Sequence, residues 1–110
     1  MDIRELPEKV YYSISEVSNH FGVSQSLLRY WESEFPSIRP KRNKKGTRFF
    51  TKKDIDQIER IYHLVKSQGY TLKGAKDRLK SDTKSVNAEI ETIRTLKDIK
   101  RFLKDVHSKL

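Results

Sequence analysis

Ser13-Ile14-Ser15-Glu16-Val17-Ser18-Asn19-His20-Phe21-Gly22-Val23-Ser24-Gln25-Ser26-Leu27-Leu28-Arg29-Tyr30-Trp31-Glu32 is the stretch whose reading decides the fold. Ile14, Val17 and Phe21 recur at spacings of three and four, the period of an amphipathic helix with Ser15 as its N-cap. Gly22 follows as a stop suited to a left-handed C-terminal position. Ser24 then caps a second helix over residues 25–34, with Leu27, Leu28 and Trp31 as its inner stripe and Pro36 as its end. Burying that stripe exposes Gln25, Ser26, Arg29 and Tyr30 on the opposite face. Two helices joined by a short Gly-containing turn form a helix-turn-helix, in which the first helix braces the second.

In that unit the second helix enters the DNA major groove, and its N-terminal outward residues meet base edges. The next segment strengthens this expectation. Residues 38–53 carry eight basic side chains (Arg39, Lys41, Arg42, Lys44, Lys45, Arg48, Lys52, Lys53) and no acid, within a chain of net charge +9. A charge this concentrated implies a polyanionic partner: DNA, RNA or an anionic membrane. Asn43 and Gly46 suit a loop with positive φ, and Thr47 to Phe50 is β-prone, so the segment reads as a basic hairpin. Pro40 restricts it to an edge strand. The spacing puts Phe50 in the core and Phe49 on the surface.

Thr51-Lys52-Lys53-Asp54 resembles a capping box. It predicts a helix over 52–68 with Ile55, Ile58, Ile61, Tyr62 and Val65 inward and Gly69 as its stop. Thr71 caps a further short helix that buries Leu72, Ala75 and Leu79, with Tyr70 packing across the turn. Residues 81–85 are polar and read as a linker. The remainder is one amphipathic helix whose apolar positions are Val86, Ile90, Ile93, Leu96, Ile99, Leu103, Val106 and Leu110, with Phe102 on its flank. Alternating steps of three and four mark a coiled-coil seam, and an extra three between Ile93 and Ile99 overwinds it locally. So polar a helix needs packing to persist. Pairing with a second copy is the favoured cover, and folding back on its own domain is the alternative.

The chain has 110 residues, 35% of them apolar, and no cysteine. The core is therefore small, without a disulfide or a thiolate metal site, and oligomerisation is the remaining way to reinforce it. No apolar run approaches a membrane span, and residues 1–9 read as a loosely ordered arm without a secretory core. Lack of Cys fits a reducing compartment. His20, His63 and His107 are dispersed, so they read as packing or surface residues rather than metal ligands. Ser108-Lys109-Leu110 matches a peroxisomal address, but Leu110 simply continues the seam. No nucleophile–base pair, phosphate-binding Gly loop or carboxylate dyad appears, so the chain reads as a non-enzyme with no cofactor.

From Tyr12 to Lys80 the chain resembles the MerR family of bacterial transcription regulators. The matching text is Ser13-Ile14-Ser15-Glu16-Val17, Phe21-Gly22-Val23-Ser24, Leu28-Arg29-Tyr30-Trp31-Glu32, Gly46-Thr47-Arg48-Phe49-Phe50-Thr51 with Asp54-Ile55, and Gly69-Tyr70-Thr71-Leu72. The resemblance implies a mostly α, winged helix-turn-helix with a small β-hairpin wing and a long C-terminal coiled-coil helix. It divides the chain into an arm (1–9), a DNA-binding domain (10–80), a linker (81–85) and a dimerisation helix (86–110). It further implies a cytoplasmic homodimer on double-stranded DNA, at a pseudo-palindromic promoter site that the protein distorts, with RNA polymerase as a further partner there. The DNA-binding set becomes Ser24, Gln25, Ser26, Arg29, Tyr30, Lys41, Arg42, Lys44, Lys45, Thr47 and Arg48.

The chain departs from the family pattern at several points. Trp31 stands where many members have a second tyrosine, and Thr47 stands where many have Tyr before the wing arginine. Glu34-Phe35-Pro36-Ser37 replaces a Gly-containing turn. Many members sense metal, drug or oxidant beyond the terminal helix, and that function is not carried over to a chain lacking both the segment and cysteine. Two other readings stay open at this level. One is an architectural or excisionase-like DNA-bending protein. The other is a coiled-coil adaptor whose basic loop meets acidic protein or lipid.

Overall fold

The computed structural model describes residues 2–110. Its first helix, α1 (Ile14–Phe21), is capped by Ser13 rather than Ser15. Ser13 Oγ accepts from the Glu16 backbone N–H at 3.1 Å, and the Glu16 carboxylate accepts from the Ser13 N–H at 3.1 Å. This reciprocal arrangement needs an acid three residues after the cap, which Ser13 has and Ser15 lacks. Gly22 ends α1 at φ +64°, a conformation that an added Cβ would strain. The second helix, α2 (Gln25–Glu34), starts at Ser24, whose hydroxyl accepts from the Leu27 N–H at 3.0 Å.

A two-stranded antiparallel hairpin follows, β1 (Lys41–Arg42) and β2 (Arg48–Phe49), with Lys41 opposite Phe49 and Arg42 opposite Arg48. Tyr12 forms an isolated antiparallel bridge to Phe50, with both N–H···O bonds at 2.8 Å. Tyr12 and Phe50 are buried together, whereas Tyr11 and Phe49 point to the other side, as strand alternation requires. Of the two residues expected to need positive φ in the loop, only Gly46 adopts it, at +80°. Asn43 contributes its side chain instead: Oδ1 accepts from the backbone N–H groups of Lys45 and Thr47, each at 3.0 Å.

Helix α3 (Lys52–Tyr62) opens on the Thr51–Asp54 capping box and passes into a π-helical turn over His63–Ser67. Asp54 is buried, and its other oxygen accepts from the Arg39 N–H at 2.9 Å, fixing the start of the wing to the start of α3. Gly69, at φ +74°, turns the chain into α4 (Leu72–Ser108). The core gathers Val17 and Phe21 of α1, Leu28 and Trp31 of α2, Phe35, Ile38 and Phe50. From the C-terminal half come Ile55, Ile58, Ile61, Leu64, Ala75, Val86 and Ile90. Burying large apolar side chains of this kind stabilises by about 1.5–3 kcal/mol each.

Three expectations need correction. The polar stretch 81–85 is helical except at Asp82 (φ −151°, ψ 50°), so the linker shrinks to a one-residue break within α4. Asp82 Oδ1 accepts from the Ser85 N–H at 3.3 Å, which restarts the helix as a cap. The arm is docked rather than loose: Ile3–Glu5 form a 3-10 turn, and Asp2 is buried between Arg4 and Arg94. The Arg4 guanidinium, hydrogen-bonded to Asp2, holds that carboxyl well below the usual range despite its burial. Finally, the terminal seam divides in two. Val86 and Ile90 are buried in the chain's own core and Ile93 is half-buried, whereas Leu96, Ile99, Phe102, Leu103, Val106 and Leu110 are exposed. The first turns after Asp82 lie against α3 and the π-helical turn, so their apolar residues are already covered.

Polar bridges fasten this proximal part of the tail. Arg60 donates to Asn87 at 2.7 Å, buried His63 meets Glu89 at 2.8 Å, and Arg94 donates to Glu59 at 2.6 Å. Glu89 also pairs with Arg78, so the bridge spans the break at Asp82. No described helix is long and apolar enough to cross a membrane.

Candidate nucleic-acid interface

The site begins with the geometry that α1 imposes on α2. Leu28 and Trp31 are buried, and Leu27 is half-buried against the core. That anchoring leaves Ser26, Arg29 and Tyr30 exposed on the far side, Tyr30 at 48%. Gln25, half-buried, donates from Nε2 to Ser15 Oγ at 3.0 Å, a contact that ties the start of α2 to α1. Its Oε1 accepts from Arg29 at 3.4 Å. Neither Glu32 nor Glu34 engages Arg29. Glu34 instead pairs with Lys76 at 2.9 Å, and Lys76 also sits 5.7 Å from the Phe35 ring centroid. Ser24 is exposed, but its hydroxyl is committed to capping α2. Tyr30 keeps its phenol free among the described residues, and its carbonyl accepts from Ser33 Oγ at 2.6 Å.

The hairpin beside α2 presents two unlike faces. On one, Arg42 and Arg48 both reach Glu32 of α2, at 2.9 Å and 3.1 Å. The sequence reading, which puts both arginines in the DNA-binding set, does not foresee this three-residue ion cluster. A carboxylate one turn beyond Arg29 is the signal that could have found it, since α2 must pass under the wing. On the other face, Lys41 and Phe49 stand with Tyr11. Lys41 Nζ lies 5.7 Å from the Tyr11 ring centroid, and the Tyr11 and Phe49 rings meet edge-on at 6.1 Å. At the tip Lys44, Lys45 and Thr47 are all exposed, and none of them forms an ion pair among the described residues.

The ion cluster ties the basic hairpin to α2, whose residues Ser26, Arg29 and Tyr30 are exposed. The site offers hydrogen-bond donors and, at Lys44 and Lys45, cations without a carboxylate partner among the described residues. Among the described residues no group of three His, Asp or Glu is placed to hold a metal ion. His20 packs edge-on against Phe21, and burial pushes its pKa down. His63 is bound to Glu89, as described above.

Comparison with known proteins agrees with this architecture. The type II methyltransferase M.Eco47II of Escherichia coli is 32% identical over 60 residues, which cover 54% of this chain and 14% of that enzyme. The chain thus spans about a seventh of the length of the curated relative it matches. Two solved structures share the fold. One is HiNmlR, described as a MerR family regulator lacking the sensor domain and bound to promoter DNA. It matches with a TM-score of 0.53 at 22% identity, over 91% of this chain and 87% of that one. The other is a MerR family transcriptional regulator from Bacillus cereus, with a TM-score of 0.56 at 20% identity over 87% and 75%. A family model described as MerR HTH family regulatory protein matches residues 12–82, nearly two thirds of the sequence, and through that match the chain belongs to the MerR family of helix-turn-helix regulatory proteins.

Proposed function

We propose that the chain is a sequence-specific, double-stranded DNA-binding regulator that works as a dimer on a pseudo-palindromic promoter site. In this reading α2 lies in the major groove. Gln25, Ser26, Arg29 and Tyr30 meet base edges, and Arg29 is suited to a bidentate contact with a guanine. Lys44, Lys45 and Thr47 at the hairpin tip hold the phosphate backbone. The exposed tail residues Leu96, Ile99, Phe102, Leu103, Val106 and Leu110 pair with a second copy, placing two α2 helices on successive turns. Distortion of the duplex between half-sites is the mode of action, with RNA polymerase as the partner that profits from it. The chain carries out no covalent chemistry of its own.

The observation that carries this reading is the exposed outer face of α2, where Arg29 meets Gln25 and, among the described residues, no carboxylate. The neighbour HiNmlR, bound to promoter DNA, gives it support. The deciding experiment is selection of bound fragments from a random duplex pool. An inverted repeat with half-sites about one helical turn apart is the expected outcome. Recovery of sites without symmetry, together with a monomer by sedimentation, would reject the dimeric regulator in favour of an architectural DNA-bending role.

A further inference from the structure

The arm that precedes α1 holds the tail at a point the core does not reach. Beyond Ile93 no apolar residue of α4 is buried: Leu96, Ile99 and Leu103 are all exposed. Yet Arg4 donates through both terminal nitrogens to Asp98, at 3.1 Å and 3.2 Å, and Glu5 faces Arg101 at 4.0 Å. The Arg4 fork is itself held, because its Nε donates to the buried Asp2 carboxylate at 2.9 Å. That carboxylate lies 3.6 Å from Arg94 Nε, one turn before Asp98. The other end of the arm is fixed to the core. The buried Tyr12 donates its hydroxyl proton to the Pro7 carbonyl at 2.7 Å and accepts from the Lys9 N–H at 3.2 Å. Between these points Ile3 and Leu6 pack against the core.

We propose that Asp2, Arg4 and Asp98 form a strap that fixes the direction in which α4 leaves the core, and that this direction sets the distance between half-sites a dimer accepts. A helix held only near its start pivots, and the error grows along its length. From Ile90, the last buried core residue, the axis advances about 12 Å to Asp98 and about 30 Å to Leu110. A sideways play of about 1 Å at Asp98 therefore becomes about 2.5 Å at the tail end. One added base pair moves a half-site by about 3.4 Å, so play of this size in each copy blurs neighbouring spacings. The bridge is exposed on the Asp98 side and contributes little to folding, but its two parallel N–H···O bonds fix an angle as a single contact cannot. All three are positioning residues, and none of them meets DNA. The inference rests on the dimeric reading and adds to it what selects the spacing.

The test uses the full chain and duplexes in which the selected half-sites are separated by the selected spacer or by one base pair more or fewer. Arg4→Ala and Asp98→Ala should each lower the preference for the selected spacer about threefold, the effect of losing one well-aligned exposed ion pair. Their thermal unfolding should stay close to the parent's. Asp98→Glu, which keeps a carboxylate within reach of Arg4, should bind as the parent does. Asp105→Ala removes the same charge from α4, but the Asp105 side chain pairs only with Lys109 among the described residues, so the spacer preference should persist. The direction of the helix is measured separately. Because the chain has no cysteine, Asn19→Cys and Lys109→Cys together take a pair of spin labels. Recorded with an excess of unlabelled chain, their distance distribution should be narrow in the parent and broader in Asp98→Ala. An unchanged spacer preference in Arg4→Ala and Asp98→Ala would overturn the proposal, as would an equal loss in Asp105→Ala. A parent that binds every spacer alike and sediments as a monomer would sink the dimeric reading instead. The label distances then still test the strap, and equal widths in parent and Asp98→Ala would reject it.

Discussion

Arg48 of the wing and Glu32 of α2 are joined at 3.1 Å, and the same carboxylate holds Arg42 at 2.9 Å. One acidic residue thus fixes the separation between hairpin and helix and masks two of the positive charges the sequence concentrates there. A single salt bridge at a surface contributes little, about 0–1 kcal/mol. A carboxylate shared between two arginines matters chiefly for geometry and for the charge it cancels.

Glu32→Gln should therefore release both arginines. The expected result is tighter binding to random duplex and a logarithmic salt slope steeper by about one to two, as freed cations meet phosphates. Discrimination between the selected site and random DNA should fall, because the wing loses its fixed angle. Binding isotherms on both duplexes at several salt concentrations measure this. An unchanged slope would show that Glu32 does not withhold the arginines.

Arg29 and Lys44 should differ in kind. Arg29→Ala should cost about 1–3 kcal/mol at one base position and relax preference there. Lys44→Ala should weaken every sequence alike and flatten the salt dependence by about one. Competition assays with single-base variants of the selected site separate the two. Equal losses on specific and random DNA for Arg29→Ala would end its role as a base reader.

The divided tail makes a further contrast. Ile90 belongs to the chain's own core, so Ile90→Ala should lower folding stability by about 2 kcal/mol or more in a monomer as in a dimer. Leu103 is 60% exposed in a single chain. Leu103→Asp should leave the melting of an isolated domain nearly unchanged but shift sedimentation from dimer to monomer and weaken binding to an inverted repeat. A dimer that survives Leu103→Asp places the pairing surface elsewhere.

The bridge across the tail predicts a pH response. Hydrogen bonds from Arg78 and His63 lower the Glu89 pKa from its ordinary 4.5 to about 2. A carboxyl with a depressed folded-state pKa adds stability above its unfolded value and loses it as pH falls toward the folded value. The contribution is thus complete above pH 4.5 and disappears between pH 4.5 and 2. Glu89→Gln should flatten the acid limb of a denaturation curve in that window, while stability at neutral pH drops modestly because Glu89 is partly solvated. Parallel curves for parent and variant across the window would show that Glu89 is not coupled to folding.

Local signals accounted for most of the helices and the hairpin. Ser24, Gly22, Thr51 and Gly69 punctuate the chain where caps and stops belong, and the buried stripes of α2 and α3 follow the helical period. What escaped the reading was long-range. Nothing in the spacing of Val86 and Ile90 tells them apart from Leu96 and Leu103; only the position of α3 in space does. The Glu32 cluster joins residues 16 apart in sequence, and the Arg94–Glu59 pair residues 35 apart. Asp2 looked like part of a free arm because its partner Arg94 lies at the other end of the chain. The cap at Ser13 is legible from Glu16 three residues on, whereas Ser15 has only a serine at the matching position.

The hairpin tip closes on itself. Asn43 binds the loop backbone through its side-chain oxygen, and Gly46 supplies the one unusual torsion, so no side chain at the tip packs on the core. Lys44 and Lys45 are consequently exempt from any folding requirement. Relatives of this chain can exchange them at almost no thermodynamic penalty, and the strength of grip on a polyanion becomes adjustable through two positions while the scaffold beneath them stays fixed.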